Sequence, residues 1–197
     1  ANAMALVSRP TDVKRTIDHM LGAWPQAARL DPRRIGFFGF SRGGYTGLVV
    51  AGAQPDVTRS RVRCPERRAP LCADPQSMHW THDARVRAMV IADPLSLFPT
   101  RDSLKAVTVP IQLWSSERGG DGVLPEDVAS IARELPVRPD FRVVPDTAHF
   151  AFLAPCPPGL RQEVPQICID EGGFDRVAFH SRFDAEVVAF LRAKLPP

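Results

Sequence analysis

The chain runs from an apolar stretch, Arg34-Ile35-Gly36-Phe37-Phe38, through Gly39-Phe40-Ser41-Arg42-Gly43-Gly44, into small and aliphatic residues at 45–53. The first piece reads as a buried strand and the last as a helix. A serine between glycines at such a joint is held proud of the sheet on a cramped turn, where its hydroxyl is open to reaction. The glycines are expected to permit the turn because a Cβ at either position would meet the neighbouring strand or helix. The amide of Arg42 is placed to face a developing oxyanion. Ser41 is therefore the candidate nucleophile and Arg42 the candidate oxyanion-hole donor.

Hydrophobic periodicity fills in the rest. A helix opening at Arg9-Pro10 carries Val13, Ile17, Met20 and Leu21 at helical spacing. Strands are expected at 86–92, 109–114 and 141–144. Pro125-Glu126-Asp127 starts a helix with proline in its first turn and acids near its positive end; Val128, Ile131 and Leu135 line its inner face, and Pro136 stops it. The last helix uses Phe179, Phe183, Val187, Phe190 and Leu191. Strands alternating with helices imply an α/β fold with a doubly wound, mostly parallel sheet. The 197 residues, 44% of them hydrophobic, are enough for one core. A single domain over 1–197 is expected, with an irregular insertion at 54–83.

Serine alone is a weak nucleophile at neutral pH, so a base and an orienting acid must be found. His149 is the candidate base, because it follows the last strand in Pro145-Asp146-Thr147-Ala148-His149-Phe150. His19 and His180 fall inside helices, and His79 and His82 in the insertion. For the acid, Asp121 is favoured, shortly after the third strand. Asp93, directly after the second, and Glu117 are the alternatives. Ser41, the three acids and His149 all follow strands, so they should meet at one rim of the sheet.

The net charge of +3 is too small to require a polyanionic partner. Arg59, Arg61, Arg63, Arg67 and Arg68 cluster without interleaved aromatics and read as a solvated loop rather than a nucleic-acid platform. No apolar run is long enough to cross a bilayer. Residues 1–4, Ala-Asn-Ala-Met, look like a cloning remnant before a start methionine. The four cysteines form two sequence-local pairs, 64 with 72 and 156 with 168. As disulfides they would staple loop segments and favour a periplasmic or secreted location. A metal site from Cys64, Cys72, His79 and His82 is the weaker reading, since the gap between those cysteines does not suit zinc. No cofactor is expected.

The motifs together carry a family resemblance. They are Arg9-Pro10-Thr11-Asp12, Asp31-Pro32-Arg33-Arg34-Ile35-Gly36, Gly39-Phe40-Ser41-Arg42-Gly43-Gly44-Tyr45, Val109-Pro110-Ile111-Gln112-Leu113-Trp114, the stretch 148–156, and Gly173-Phe174-Asp175-Arg176 with Phe179-His180. On these the chain resembles α/β-hydrolases of the predicted dienelactone hydrolase group, which is similar to platelet-activating-factor acetylhydrolases and polyester-cleaving esterases. The resemblance implies a serine esterase acting on small carboxylic esters through an acyl-enzyme. Dienelactone hydrolase proper uses cysteine, so Ser41 shifts the expectation to ordinary esters. The general group supports Asp121 as the acid, the acetylhydrolases Asp93. Exported members of these groups lend weight to the paired cysteines.

The chain also departs from the family pattern. Forty residues precede Ser41, where such hydrolases lay down several strands and a loop giving the second oxyanion amide. The nucleophile strand is therefore expected at an open sheet edge, to be paired by upstream sequence, a partner chain or a second copy. The alternative function is a catalytically inactive module of this fold, lacking a complete oxyanion hole.

Overall fold

The computed structural model describes residues 3–56 and 78–197. Four strands form one sheet: β1 (Ile35–Phe40), β2 (Val86–Ala92), β3 (Ile111–Ser116) and β4 (Asp140–Val144). They lie in chain order and every pairing is parallel. The principal helices are α1 (Ala3–Gly22), α2 (Arg42–Val50), α3 (Arg101–Leu104) and α4 (Pro125–Glu134). After β4 come α5 (Pro158–Glu163), α6 (Pro165–Cys168) and α7 (Arg176–Lys194).

Alternation along β2 shows how the layers arise. Met89 and Ile91 join the cluster holding Tyr45, Leu48 and Val49 of α2 and Val128 and Ile131 of α4. Val90 and Ala92 face the opposite cluster, with Phe179 and Phe183 of α7 and Trp114. Side chains two apart share a face of a strand, so the unbroken apolar run from Ala88 to Ala92 requires cover on both sides. The doubly wound parallel architecture expected from sequence is the one observed.

Some boundaries differ from expectation. The first helix starts at Ala3 and continues through Pro10, taking in residues read as a remnant. Pro10 is buried, and Leu6 one turn earlier packs in the core. Apolar contact thus carries the helix past the amide that proline lacks. The short helices α3, α5 and α6 are too brief to show a periodic pattern in the sequence. Of the insertion expected at 54–83, residues 57–77 lie outside the described residues, with the arginine cluster at 59–68 and the Cys64–Cys72 pair. The other expected pair, Cys156 and Cys168, is a disulfide with Cα atoms 5.5 Å apart, enclosing α5 and α6. Among the described residues, no helix is long and apolar enough to cross a membrane.

β1 pairs with β2 on one side and with no described strand on the other. Phe38 on this edge is 47% exposed. Two grooves of about 580 and 430 Å³ run beside it; both include Ile35 and Gly36, with Ile17 of α1, and the larger is closed by Leu191 of α7 and Leu195 just after it.

Candidate active site

Ser41 stands between the end of β1 and the first turn of α2 with φ 55° and ψ −118°, a conformation L-residues rarely adopt. The turn is held by three backbone bonds: Ser41 N donates to Ala92 O at 2.9 Å, and Tyr45 N and Leu95 N donate to Ser41 O, each at 3.1 Å. Two glycines make it possible. A Cβ on Gly39 would lie 2.5 Å from Gly43 O, and one on Gly44 would lie 2.9 Å from Pro94 Cβ. Gly43, expected to be the second constrained position, has open space about it. The tight approach falls one residue later, where α2 crosses Ile91 and Pro94.

His149 begins a short 3₁₀ turn, His149–Phe152, beyond β4. Its Nε2 lies 3.0 Å from Ser41 Oγ and its Nδ1 3.1 Å from Asp93 Oδ2. A carboxylate only accepts, so Nδ1 carries the proton and Nε2 is left to accept from the serine hydroxyl. Histidine and aspartate are 1% and 0% exposed. The imidazole also lies against Phe40, with ring centroids 4.5 Å apart, and against Phe150 at 5.3 Å. Its backbone amide donates to Gly119 O at 2.8 Å, and His180 Nε2 donates to Ala151 O at 2.9 Å from α7.

The carboxylate beside the imidazole is that of Asp93, where the sequence favoured Asp121. Asp93 sits at the end of β2 with φ 39°, a strained setting for the residue before a proline. Besides His149 it accepts from Ser116 N at 2.7 Å and Ser116 Oγ at 2.5 Å. Asp121 is exposed at the tip of a turn closed by paired bonds between Gly120 and Val123, each 2.9 Å. That turn meets His149 with its glycines: Gly119 O takes the histidine amide, and a Cβ on Gly120 would stand 3.2 Å from the histidine Cβ. Glu117 is occupied elsewhere, accepting from Asp146 N at 2.7 Å. Asp93 was legible as an acid ending a strand. The bonding of Ser116 to Asp93 had no sequence signal, Ser116 being one more small residue in a buried run.

The Arg42 amide belongs to the first turn of α2, where amides have no carbonyl within the helix. The Arg42 side chain is exposed. His82, read as a weaker metal candidate, lies near Val49 O through Nδ1 at 2.7 Å and near Gln54 Nε2 at 2.9 Å; the cysteines of that reading are outside the described residues. Phe98, Trp114 and Phe152 are in the two cores, and Phe150 is half-buried beside the imidazole.

The sequence matches no family model and no curated protein. Solved structures do match. The strand order, its flanking helices and these likenesses define an α/β fold of the α/β-hydrolase type. Esterase 2 of Thermogutta terrifontis, a planctomycete, is similar in its native form over 98% of this chain and 65% of its own, with a TM-score of 0.54 at 15% identity. The same enzyme phosphorylated by paraoxon gives the same values. Its form phosphoramylated by tabun gives a TM-score of 0.52 at 15% identity, over 98% of this chain and 66% of that one. The chain thus spans about two thirds of the length of these esterases.

Proposed function

We propose that this chain carries the catalytic centre of a serine esterase that cleaves small carboxylic esters through an acyl-enzyme. The carrying observation is the continuous line from Ser41 Oγ through the His149 imidazole to Asp93, with separations of 3.0 and 3.1 Å at the carboxyl ends of β1 and β2. In this reading Ser41 attacks the ester carbonyl as His149 Nε2 takes its proton. Asp93 holds the imidazole in the required tautomer and balances the imidazolium. The Arg42 amide donates to the oxyanion. Collapse of the tetrahedral intermediate passes the proton to the leaving alcohol, and water repeats the sequence on the acyl-serine. Burial of the histidine and aspartate favours this use, since their interaction is little screened by solvent. That the Thermogutta esterase of similar fold was captured as two organophosphorus adducts supports the choice of probe.

The open edge of β1 belongs to the same proposal. No described strand pairs its outer side, and the apolar flanking grooves suit an additional strand, which would bring the second oxyanion donor.

A fluorophosphonate probe tests the reading. Stoichiometric labelling, lost in Ser41→Ala, is expected. A folded sample that takes no label over hours, with no short-chain ester hydrolysed, would overturn it in favour of an inactive module of the same fold.

A further inference from the structure

Ser116, the last residue of β3, hydrogen-bonds to Asp93 and Gly119 and not to Ser41 or His149. Its hydroxyl nevertheless closes a ring of hydrogen bonds around the histidine. Gly119 N donates to Ser116 Oγ at 3.1 Å. An amide can only donate, so the hydroxyl proton is directed to its other neighbour, Asp93 Oδ2 at 2.5 Å. The same Oδ2 accepts from His149 Nδ1, and the His149 amide returns to Gly119 through its carbonyl at 2.8 Å. Gly119, with φ +67°, is fixed as glycine because a Cβ there would stand 2.4 Å from Val123 O.

We propose that Ser116 is a positioning residue for the Ser41–His149–Asp93 centre, an inference that rests on the esterase reading above. Two donors from one residue grip both carboxylate oxygens, Oδ1 through the amide at 2.7 Å and Oδ2 through the hydroxyl. That grip blocks rotation of the carboxylate about its terminal torsion, which is otherwise broad. Oδ2 is thereby kept facing Nδ1. It also supplies hydrogen bonds to a carboxylate with no access to water, which burial makes obligatory. Through Gly119 the hydroxyl indexes the backbone position of His149 as well, so one side chain sets both partners of the Nδ1 bond.

Ser116→Ala, Ser116→Thr and the wild-type chain are compared by fluorophosphonate labelling rate, by kcat and KM on a short-chain ester, and by the low-field proton signal of His149 Nδ1–H. Expected for the alanine variant is a fall of about tenfold in labelling rate and kcat at unchanged KM, equivalent to about 1.4 kcal/mol of transition-state stabilisation. Its Nδ1–H signal should move as Oδ2 loses its second donor, and threonine should restore both readouts. Wild-type rates with an unmoved signal in the alanine variant would overturn the proposal. Should that variant not fold, the wild-type Ser116 hydroxyl proton decides. Slow exchange with a cross-peak to Nδ1–H supports the ring; fast exchange with water refutes it. A wild-type chain that takes no label while the Nδ1–H signal still moves in the alanine variant would uphold the ring and strike down the esterase reading.

Discussion

Asp93 and His149 are 56 residues apart in the chain, and their side chains meet at 3.1 Å with neither reached by solvent. The pairing depends on β2 ending one residue before Asp93 and on β4 delivering a turn that brings the histidine back over the strand ends.

It follows that the two candidate acids should behave oppositely. Asp93→Asn should lower the fluorophosphonate labelling rate by about 10⁴, since an amide in place of the carboxylate favours the wrong imidazole tautomer. Asp121→Asn, on an exposed turn tip, should stay within about twofold of wild type, the scale of a surface change. Rates measured on the two purified variants decide between them.

The glycines of the elbow should also separate. Gly44→Ala forces a Cβ to 2.9 Å from Pro94 Cβ and 3.0 Å from Ile91 Cγ2, and should cost about 1–3 kcal/mol. Because Pro94 adjoins Asp93, activity should fall with stability. Gly43→Ala meets nothing within 4 Å and removes a flexible residue from a helix, so it should gain about 0.5–1 kcal/mol. Urea unfolding of both variants tests the pair.

Breaking the Cys156–Cys168 bond should loosen the segment holding α5 and α6. For a closed loop of this size, chain entropy alone corresponds to about 3 kcal/mol. Thermal unfolding of Cys156→Ser/Cys168→Ser should come several degrees below wild type, and a reductant should bring the wild-type chain down to meet it.

A charge network ties α1 to the start of β2. Arg85 bonds Asp18 Oδ1 at 2.6 Å and both carboxylate oxygens of Asp83, while its amide donates to Asp83 Oδ1 at 3.0 Å. The guanidinium, chiefly by its hydrogen bond, holds the Asp83 carboxyl below its ordinary value of 3.8. A carboxyl depressed in the folded state contributes stability above its unfolded value and loses it as pH falls through the folded one. Asp83→Asn should therefore cost about 1 kcal/mol near pH 7. The difference from wild type should close as pH drops below 3.8, which melting curves across an acid series would register.

Much of the fold could be read directly from residue patterns. β2 is apolar at both faces and bounded by Asp93-Pro94, so its limits were plain. In α4 a proline start and two acids coincide with the apolar face. The meeting of Ser41 and His149 was legible because each stands alone after a strand. Which carboxylate would stand beside the imidazole was not, since three carboxyl groups followed strands and only three-dimensional closure separates them: Asp121 is carried outward by a glycine turn, and Glu117 is used on Asp146 N. Pro10 misled in the same way, because the core contact that carries α1 through it has no local signal.

The bond from His180 to Ala151 O gives the last helix a mechanical hold on the turn that carries His149. The turn bearing the imidazole hangs from α7 near its start, which is itself moored by the two-pronged Arg176–Asp170 pair. Unravelling that first stretch of helix would slacken the turn while the strands and the serine stayed put. Warming should therefore silence the hydroxyl's reactivity before the sheet melts, and the interval between those two temperatures would measure how firmly the end of the chain is fastened.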